Sequence, residues 1–289
     1  MIVASAGASL VIDIHLYTAD IMTRAAIAPL VVKIGGGAGV DIAACVGGIA
    51  RAAADRPVIV VHGVSASLDR LCAERGVTTR TITSPSGHVS RYTDAPTRDL
   101  YVEAAHGVSA DLVERLCEHG VDAVAMGAVI TATRKDAVRA LVNGRVRLIH
   151  DDYSGAITGV DAERLLSSLA DGQTFVVPPL ALSPDGLLNI DGDRAAAAIA
   201  AAVGADDLVI LSNVRGLYRD YADPDSLVKA VRGADIERAL TWAAGRMKRK
   251  VIGAREALNG GVVRVTIADG RISDGLAQAL DGAGTVFTS

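Results

Sequence analysis

Aromatic residues and cysteines are scarce in this sequence. Phe, Trp and Tyr together make up 3% of its 289 residues, although half of the chain is hydrophobic. The apolar content is therefore mostly Ala, Val, Leu and Ile, which is typical of helices that cover a parallel sheet. The cysteines, Cys45, Cys72 and Cys117, form no CxxC pair. This argues against a disulfide scaffold or a zinc ribbon and favours the reducing cytoplasm.

Other features that whole classes of protein require are missing as well. The net charge is −4, so no overall basic field attracts nucleic acid. No run approaches the roughly 18 apolar residues of a membrane-spanning helix, so we expect no membrane association. The six histidines lack a metal-ligand spacing such as HExxH, and we predict no metal held by the protein's own side chains.

Residues 1–29 do not fit the pattern of the rest of the chain. They contain a short apolar run at 10–14 that is interrupted by Asp13, and no Lys or Arg precedes it within the first ten residues. The pattern of a secretory signal peptide is therefore absent. Two interpretations stay open: an extra helix or strand that packs on a neighbour, or a translation start at Met22. We predict an N-terminal extension here and assign no function to it.

Short apolar runs alternate with longer segments rich in Ala, Leu, Glu and Arg. The runs predict β-strands at 30–34, 58–61, 123–126, 174–177, 208–211 and 263–267. The segments between them predict helices at 41–54, 65–75, 111–119, 161–170, 193–203 and 247–258. Such alternation predicts an α/β fold with a mostly parallel sheet that helices cover on both faces.

Residues 143–160 follow a different pattern. Asn143-Gly144 lies between Val142 and Val146, which indicates a β-hairpin. A second turn is indicated at 152–155, where the sequence is DYSG. We predict a hairpin that projects over the sheet.

The same region is locally basic in a chain of negative net charge. Between positions 134 and 147 one acid, Asp136, stands against Arg134, Lys135, Arg139, Arg145 and Arg147. This patch is either the solvated surface of the hairpin or a docking surface for an acidic macromolecular partner.

Lys33 lies at the end of a predicted strand and is followed by Gly35, Gly36 and Gly37. Glycine lets backbone amides approach an anion closely, and lysine adds a positive charge. The spacing is neither that of a Walker A loop nor that of a dinucleotide fingerprint. The pattern indicates an anion site at the strand end or, alternatively, a lysine beside a plain turn.

A second junction between strand and helix carries His62, Gly63, Val64 and Ser65. The N-terminus of the following helix would offer free amides to a phosphate. The alternative is an ordinary turn in which Ser65 caps the helix.

Three polar residues, Asn189, Asp191 and Asp193, stand at alternate positions where an Ala-rich helix begins. An Asn side chain can orient a substrate carboxylate or amide, and an Asp just inside the helix can hydrogen-bond lysines from both halves of the chain. Helix capping is the alternative. Because capping alone hardly needs three such residues, we favour the functional interpretation.

Three further segments carry weaker patterns. Lys248, Arg249 and Lys250 begin a predicted helix, where the helix dipole disfavours cations, so they indicate either a phosphate or a solvated basic face. Arg91 suits a carboxylate in bidentate geometry, or else lies on the surface beside a helix cap. The polar loop at 212–218 follows a predicted strand and can seat a nucleotide.

In this order and over this span, the motifs indicate a kinase that phosphorylates a carboxylate, because phosphoryl transfer depends on positioning and charge neutralisation. At these residues the chain resembles the amino acid kinase family over nearly everything from residue 30 to the end. It looks most like the family's kinases for 2-aminoadipate or glutamate bound to a small amino-group carrier protein, which are relatives of N-acetylglutamate kinase. The most specific matches are HVSRYTD (88–94), Gly144-Arg145 with DYSG (152–155), PPLALS (178–183), LSNV (211–214) with Gly216-Leu217, GRMKRKV (245–251) and ADGR (268–271).

The resemblance implies a three-layer αβα sandwich with a mostly parallel open sheet, the carbamate kinase-like fold. It implies an acceptor lobe over 30–200 and an ATP-binding lobe over 201–289. The implied reaction is ATP-dependent phosphorylation of the side-chain carboxylate of carrier-bound 2-aminoadipate or glutamate. The product would be an acyl phosphate for biosynthesis of the lysine or arginine type.

The resemblance also implies roles for single residues. Lys33 and Lys250 would neutralise the transferring phosphoryl group, and Asp193 would orient both lysines. Arg91 and Asn189 would hold the carboxylate and the blocked amino group of the acceptor. No general base is needed, because the acceptor carboxylate is already ionised at pH 7.

Two larger sets of residues follow from the same resemblance. The residues expected at the phosphates are Gly35, Gly36, Gly63 and Val64. The residues expected near the nucleotide are Ser212, Asn213, Gly216, Leu217 and Tyr218. Mg²⁺ would be bound mainly through the ATP phosphates, with waters completing its shell.

An acidic carrier protein and a homodimer are the partners that the resemblance implies. The docking surface for the carrier would be the basic region with Arg134, Arg139, Arg145 and Arg147. Two alternatives stay open: an N-acetylglutamate kinase, which needs no such surface, and a non-catalytic sensor of nucleotide or amino acid on the same fold.

Val64 departs from the family pattern, which usually has His-Gly-Gly where this chain has His62-Gly63-Val64. A second glycine would let the amide reach the phosphate in a conformation that valine resists. We therefore expect the substitution Val64→Gly to raise turnover.

Overall fold

The computed structural model describes residues 27–85, 87 and 89–289. The predicted N-terminal extension lies outside the described residues as far as residue 26, and so does His88 of the motif at 88–94. Among the helices of the described part, none is both long and apolar enough to cross a membrane.

Strands and helices alternate along the described chain. In chain order the strands are β1 (Leu30–Ile34), β2 (Val58–His62), β3 (Arg80–Thr83), β4 (Val89–Tyr92), β5 (Ala123–Ala125), β6 (Ile130–Arg134), β7 (Val138–Val142), β8 (Arg145–Ile149), β9 (Gly155–Val160), β10 (Thr174–Val177), β11 (Leu180–Ser183), β12 (Gly186–Asn189), β13 (Asp207–Ser212), β14 (Ala230–Arg232), β15 (Arg264–Asp269) and β16 (Thr285–Thr288). The α-helices are α1 (Ile42–Asp55), α2 (Ser65–Glu74), α3 (Ala95–Glu118), α4 (Ala162–Ala170), α5 (Gly192–Ala202), α6 (Ile236–Trp242), α7 (Gly245–Asn259) and α8 (Gly275–Leu280).

The main sheet has eight strands, and its centre is parallel. Strands β5, β10, β2, β1, β13 and β15 lie side by side in this order, and each is parallel to its neighbours in that series. They are the six strands that the sequence predicts, so that prediction is confirmed. Beyond β15, β16 pairs antiparallel and β14 forms the edge. The carboxyl ends of β1, β2 and β13 meet at one edge, where open α/β sheets place their ligands.

Helices cover both faces of this sheet. Because side chains alternate along a strand, Val31 and Ile210 pack on one face against α5, α6 and α7. Val32 and Val209 pack on the other face against α1, α3 and α8. The protein is therefore a three-layer αβα sandwich, as the sequence predicts.

Smaller sheets surround the carboxyl-end edge of the main sheet. Strands β12, β11, β6 and β9 form a four-stranded sheet, and β3–β4 and β7–β8 are antiparallel hairpins. The turn between β7 and β8 has positive φ at Asn143 (51°) and Gly144 (75°), the conformation for which Asn-Gly is favoured. This confirms the predicted hairpin, although it begins at Val138 rather than near residue 143.

The sequence predicts only the C-terminal part of helix α3. It predicts a helix only at 111–119, whereas α3 begins at Ala95. Before residue 111 its buried face includes Thr97 and Ser109 beside small alanines, so the hydrophobic repeat is weak there. Asp94 nevertheless starts the helix by accepting a hydrogen bond from the Thr97 N–H over 3.1 Å.

The halves of the chain on either side of residue 200 share the main sheet. Every residue of β1 pairs with a residue of β13. Helix α5, which lies at the boundary, packs on β1, β2 and β13. The assignment of an acceptor lobe and an ATP-binding lobe stays a prediction, and the two would have one continuous core.

Candidate active site

Two buried lysines share one buried carboxylate. The Lys33 Nζ lies 2.7 Å from Oδ1 of Asp193, and the Lys250 Nζ lies 3.1 Å from Oδ2. The three residues are 5%, 6% and 7% exposed for Lys33, Asp193 and Lys250. The structure thus brings together residues that are far apart in the sequence.

Three elements hold this group in place. Lys33 belongs to β1 at the centre of the sheet, Asp193 to the first turn of α5, and Lys250 to α7. Gly253 on α7 lets the two helices approach, because a Cβ there would lie only 3.0 Å from the carbonyl oxygen of Asp193. Sequence reasoning missed Gly253, since a helical glycine by itself does not indicate a close contact.

The charges of the group are strongly coupled. Burial alone would raise the pKa of the Asp193 carboxyl, but Lys250 and Lys33 hold it well below its usual range. Burial lowers the pKa of the Lys250 ammonium to about 8, although Asp193 opposes this shift. The group carries two ammonium charges against one carboxylate at neutral pH, which suits the binding of a further anion.

The glycine loops after β1 and β2 pack against each other next to Lys33. A Cβ on Gly63 would lie 2.5 Å from the backbone nitrogen of Gly36, so neither loop has room for a side chain. The Gly63 N–H donates to the carbonyl oxygen of Ile34 over 2.9 Å. Among the described residues, the N–H groups of Gly36 and Val64 have no acceptor, which leaves them available to a phosphate.

The structure contradicts the expected conflict at Val64. Its φ is −125°, so the position needs no left-handed conformation and the backbone admits valine. The side chain is 3% exposed and packs with Leu68, Cys72 and Tyr101. The premise that valine resists the required conformation is therefore wrong, and the expected gain from Val64→Gly loses its physical basis.

Arg91 and Asn189 line the same cavity as Lys33, at another part of its wall. Arg91 belongs to β4, and its Nη2 donates to Oδ1 of Asp69 on α2 over 2.6 Å, which fixes the guanidinium. The Asn189 Nδ2 donates to Oγ1 of Thr93 over 2.9 Å. The buried carboxylate of Asp152 accepts the Thr93 N–H over 3.0 Å, so the Asn189 amide is held by a chain of polar groups. Sequence reasoning missed this support because its members are distant in the chain.

The five residues expected near a nucleotide lie at the carboxyl end of β13 and in the loop after it. Ser212 is buried at the strand end, and the Asn213 Nδ2 donates to the carbonyl oxygen of Ala38 in the glycine loop over 3.2 Å. Gly216 is tightly packed, because a Cβ there would lie 2.5 Å from Oγ1 of Thr285. The Leu217 N–H donates to the same Thr285 Oγ1 over 2.8 Å, and Tyr218 packs edge-on against Tyr221.

A single cavity of about 850 Å³ connects these groups. Its lining includes all fourteen of the predicted catalytic, phosphate, acceptor and nucleotide residues: Lys33, Gly35, Gly36, Gly63, Val64, Arg91, Asn189, Asp193, Ser212, Asn213, Gly216, Leu217, Tyr218 and Lys250. It has room for two small substrates side by side. Within the described part of the chain, no group of three or more His, Cys, Asp or Glu side chains can hold a metal ion.

Arg249 links the lysine-bearing helix to the hairpin that carries Arg91. Its Nη1 lies 3.2 Å from Oδ2 of Asp191, and its Nη2 donates to the carbonyl oxygen of Val89 on β4 over 2.6 Å. Asp191 in turn caps α5 by accepting the N–H of Asp193 over 3.0 Å. The sequence indicates a basic run here, but it does not reveal this connection.

The arginines of the basic region do not form one surface. The register of β7 and β8 places Arg145 and Arg147 on one face of the hairpin and Arg139 on the other. The face with Arg139 also carries Leu141 and Leu148, both exposed. A partner that binds one face therefore meets either the two arginines of β8 or the apolar residues beside Arg139.

Arg134 lies at the end of β6, outside the hairpin. Its guanidinium donates to the carbonyl oxygens of Asp152 (3.1 Å) and His150 (2.7 Å). It also lies 4.0 Å from the ring centroid of Tyr153. These contacts tie the base of the hairpin to the segment that precedes β9.

Comparison with known proteins connects this site to a family. The model of the amino acid kinase family matches residues 28–269. A LysW-aminoadipate kinase of Deinococcus radiodurans is 40% identical over 266 residues, which are 90% of this chain and 91% of that protein.

Solved structures share the fold. An N-acetylglutamate synthase of Neisseria gonorrhoeae, complexed with coenzyme A and N-acetyl-glutamate, superposes with a TM-score of 0.72 at 26% identity. The match covers 98% of this chain but 64% of the synthase, so the chain spans a little under two thirds of that protein. A carbamate kinase of Giardia lamblia bound to AMP-PNP superposes with a TM-score of 0.64 at 15% identity, over 91% of this chain and 99% of that one.

Proposed function

The chain belongs to the amino acid kinase family and is a phosphotransferase, and from that premise we propose its substrates. We propose that it transfers the γ-phosphoryl group of ATP to the side-chain carboxylate of 2-aminoadipate or glutamate. The amino group of this acceptor would be joined to a small acidic carrier protein. The product would be an acyl phosphate for amino acid biosynthesis of the lysine or arginine type.

The observation that carries the proposal is the group of Lys33, Asp193 and Lys250 beside the free amides of Gly36 and Val64. A transferring phosphoryl group carries negative charge on its equatorial oxygens, which two fixed ammonium groups and backbone N–H groups can neutralise. Asp193 keeps the two lysines apart and in place. The acceptor carboxylate is ionised at pH 7, so the reaction requires no general base.

A position for the nucleotide phosphates at the two glycine loops is supported by the N–H groups of Gly36 and Val64, which have no acceptor among the described residues and lie beside Lys33. Mg²⁺, when bound with ATP, would offset phosphate charge and orient the phosphates. The described residues offer no group of three or more His, Cys, Asp or Glu side chains for the ion, and we propose that ATP oxygens and water hold it.

The acceptor end of the cavity supports an acceptor with a blocked amino group. The NH₂ group of Asn189 donates a hydrogen bond to Thr93, so the side-chain carbonyl oxygen of Asn189 is left to accept an amide N–H. A free ammonium would meet the positive charges of Arg91 and Lys135, both of which line the cavity. An acylated nitrogen carries no charge and suits this site better.

A carrier protein as the source of that acyl group is supported by the name of the Deinococcus radiodurans relative, a LysW-aminoadipate kinase. In this chain Arg145 and Arg147 on β8 would meet an acidic partner. Arg139 on the opposite face of the hairpin and Arg134 in its base would contribute less to the same contact. The homodimer expected for the family stays a prediction, which sedimentation of the purified protein would test.

The test of the proposal is a comparison of acceptors. The purified protein is given ATP and Mg²⁺ with carrier-bound 2-aminoadipate, carrier-bound glutamate or free N-acetylglutamate, and the acyl phosphate is trapped with hydroxylamine. We expect hydroxamate with a carrier-bound acceptor and little with the free one. Hydroxamate with free N-acetylglutamate alone would instead identify an N-acetylglutamate kinase, and none with any acceptor would favour a non-catalytic sensor.

A further inference from the structure

Lys135 lies in the cavity on the far side of Ser154 from Asn189. It follows the last residue of β6, and its backbone N–H donates to the carbonyl oxygen of Ser154 over 3.5 Å. Ser154 in turn forms a β-bridge with Asn189. The three residues thus stand on three adjacent backbones, and with about 4.8 Å between neighbours Lys135 is roughly 10 Å from Asn189 along this ladder.

The charge of Lys135 has no carboxylate to pair with. No acid lies within ion-pair distance of its ammonium in the described residues. Asp152, the acid with the largest electrostatic effect on it, has its two oxygens occupied by the N–H groups of Thr93 and Ser154. Lys135 is exposed at the wall of the cavity, where partial desolvation, only partly offset by Asp152, lowers its pKa, so an added anion there would be favourable.

The acceptor end of the cavity has more cationic side chains than a free acylated amino acid has carboxylates to pair with them. N-acetyl-2-aminoadipate has two carboxylates. One is phosphorylated near Lys33 and Lys250, and Arg91 would hold the other. Lys135 is then left without a counter-charge, on the side of Asn189 where the acyl group would extend.

We propose that Lys135 binds an additional carboxylate, one that belongs to the acyl group through which the carrier holds the amino acid. The inference rests on the proposed function and specifies which chemical group beyond the amide the enzyme recognises. Lys135 would then distinguish an acceptor whose acyl group ends in a carboxylate from one with a plain acetyl group. The folded surface of the carrier would contribute to substrate specificity separately, by binding to the hairpin β7–β8.

Small acceptors can test this without the carrier's surface. N-succinyl-2-aminoadipate places a carboxylate close to the amide, and its succinamoyl analogue has the same shape with a neutral carboxamide in place of that carboxylate. N-acetyl-2-aminoadipate serves as the third acceptor. The kcat/KM of each is measured by hydroxamate formation for the wild type, Lys135→Met and Lys135→Arg.

We expect the wild type to prefer the succinyl over the succinamoyl acceptor by about 2- to 5-fold, as for an ion pair with an exposed lysine. Lys135→Met should remove this preference by lowering kcat/KM for the succinyl acceptor to the value for the succinamoyl acceptor. Lys135→Arg should keep most of the preference. Lys229→Met is the matched control, because Lys229 is exposed and does not line the cavity, and it should leave all three values unchanged.

Two outcomes would overturn the inference while the proposed function stands. One is equal kcat/KM for the succinyl and succinamoyl acceptors in the wild type, and the other is the same preference in Lys135→Met. An enzyme that phosphorylates the carrier-bound acceptor but not the succinyl compound would also contradict it. If free N-acetylglutamate is phosphorylated and the carrier-bound acceptors are not, the proposed function itself fails.

Discussion

Gly36 and Gly63 approach each other so closely that a methyl group on Gly63 would lie 2.5 Å from the Gly36 nitrogen. The two residues come from separate loops, one after β1 and one after β2. The contact brings the free amides of Gly36 and Val64 together beside Lys33. The positions of these two amides, which we propose bind phosphate, therefore depend on glycine at both positions.

Gly63→Ala should abolish most activity. The added methyl group must push the loops apart, and a displacement of about 1 Å at reacting groups can cost about 100-fold in rate. We expect kcat to fall by that order in the hydroxamate assay. Gly37→Ala is the control, since its methyl group would meet only the far end of the Arg246 side chain, which can move. Equal losses in the two variants would contradict this account.

Asp193→Asn should damage both catalysis and stability. Removal of one partner of a buried ion pair typically costs about 3–5 kcal/mol, and here two buried ammonium groups lose their counter-charge. We expect a lower Tm and a kcat reduced by about 100-fold or more.

Asp207 offers the matched control for Asp193. Arg56 and Arg264 contact its carboxylate at the start of β13, and it does not line the cavity. Asp207→Asn should lower Tm while it leaves kcat close to wild type. A normal kcat in Asp193→Asn would rule out the role given to the shared carboxylate.

Activity should fall as the pH rises through about 8, the lowered pKa of Lys250. Below that pH the ammonium is charged and can neutralise phosphate, and above it the charge is lost. The profile of kcat/KM for ATP reports groups of the free enzyme, so it should show this decline. Lys250→Arg keeps its charge throughout. Its profile, at lower activity, should stay flat above pH 8, and an unchanged decline would assign the titration to another group.

Val64→Gly should destabilise the protein and not raise its turnover. The substitution removes a buried side chain from the cluster with Leu68, Cys72 and Tyr101 and adds backbone freedom. Together these effects are expected to lower the free energy of unfolding by about 2–4 kcal/mol. Denaturant unfolding of Val64→Gly and Val64→Ala would measure them, with the smaller loss for alanine. A higher kcat at unchanged stability would restore the original expectation.

Charge reversal of Arg145 and Arg147 should weaken binding of the carrier only. With both changed to Glu, we expect KM for the carrier-bound acceptor to rise by about 10-fold or more, because like charges then meet across the interface. KM for ATP should not change, since neither residue lines the cavity. Arg139→Glu tests the opposite face of the hairpin. If it has the larger effect, the carrier binds beside Leu141 and Leu148 instead.

Much of the scaffold could be predicted because its signals are local. The buried strands are continuous apolar runs, and Asn143-Gly144 specifies its own turn. Helix α3 was predicted too short because Thr97 and Ser109 interrupt its apolar face. The short elements α6, α8, β14 and β16 give still less periodicity and were not predicted.

The site was harder to predict where it depends on contacts between distant segments. Lysines and glycines at strand and helix ends are visible in the sequence. The hydrogen bond from Arg249 to Val89 and the close approach at Gly253 are not, because no pattern relates residues so far apart. The same limit applies to Val64, because only its φ shows that valine fits this position without backbone strain.

The pairing of β1 with β13 has a consequence for how the chain folds. The first described strand cannot complete its hydrogen bonds until the chain has been synthesised past residue 211. Non-local pairing of this kind slows folding, because a long loop must close before the contact forms. A fragment that ends near residue 200 would leave β1 as an unprotected edge and expose the apolar face beneath α7, so it should aggregate rather than fold. The lysine pair would therefore form late, after both ends of the polypeptide have come together.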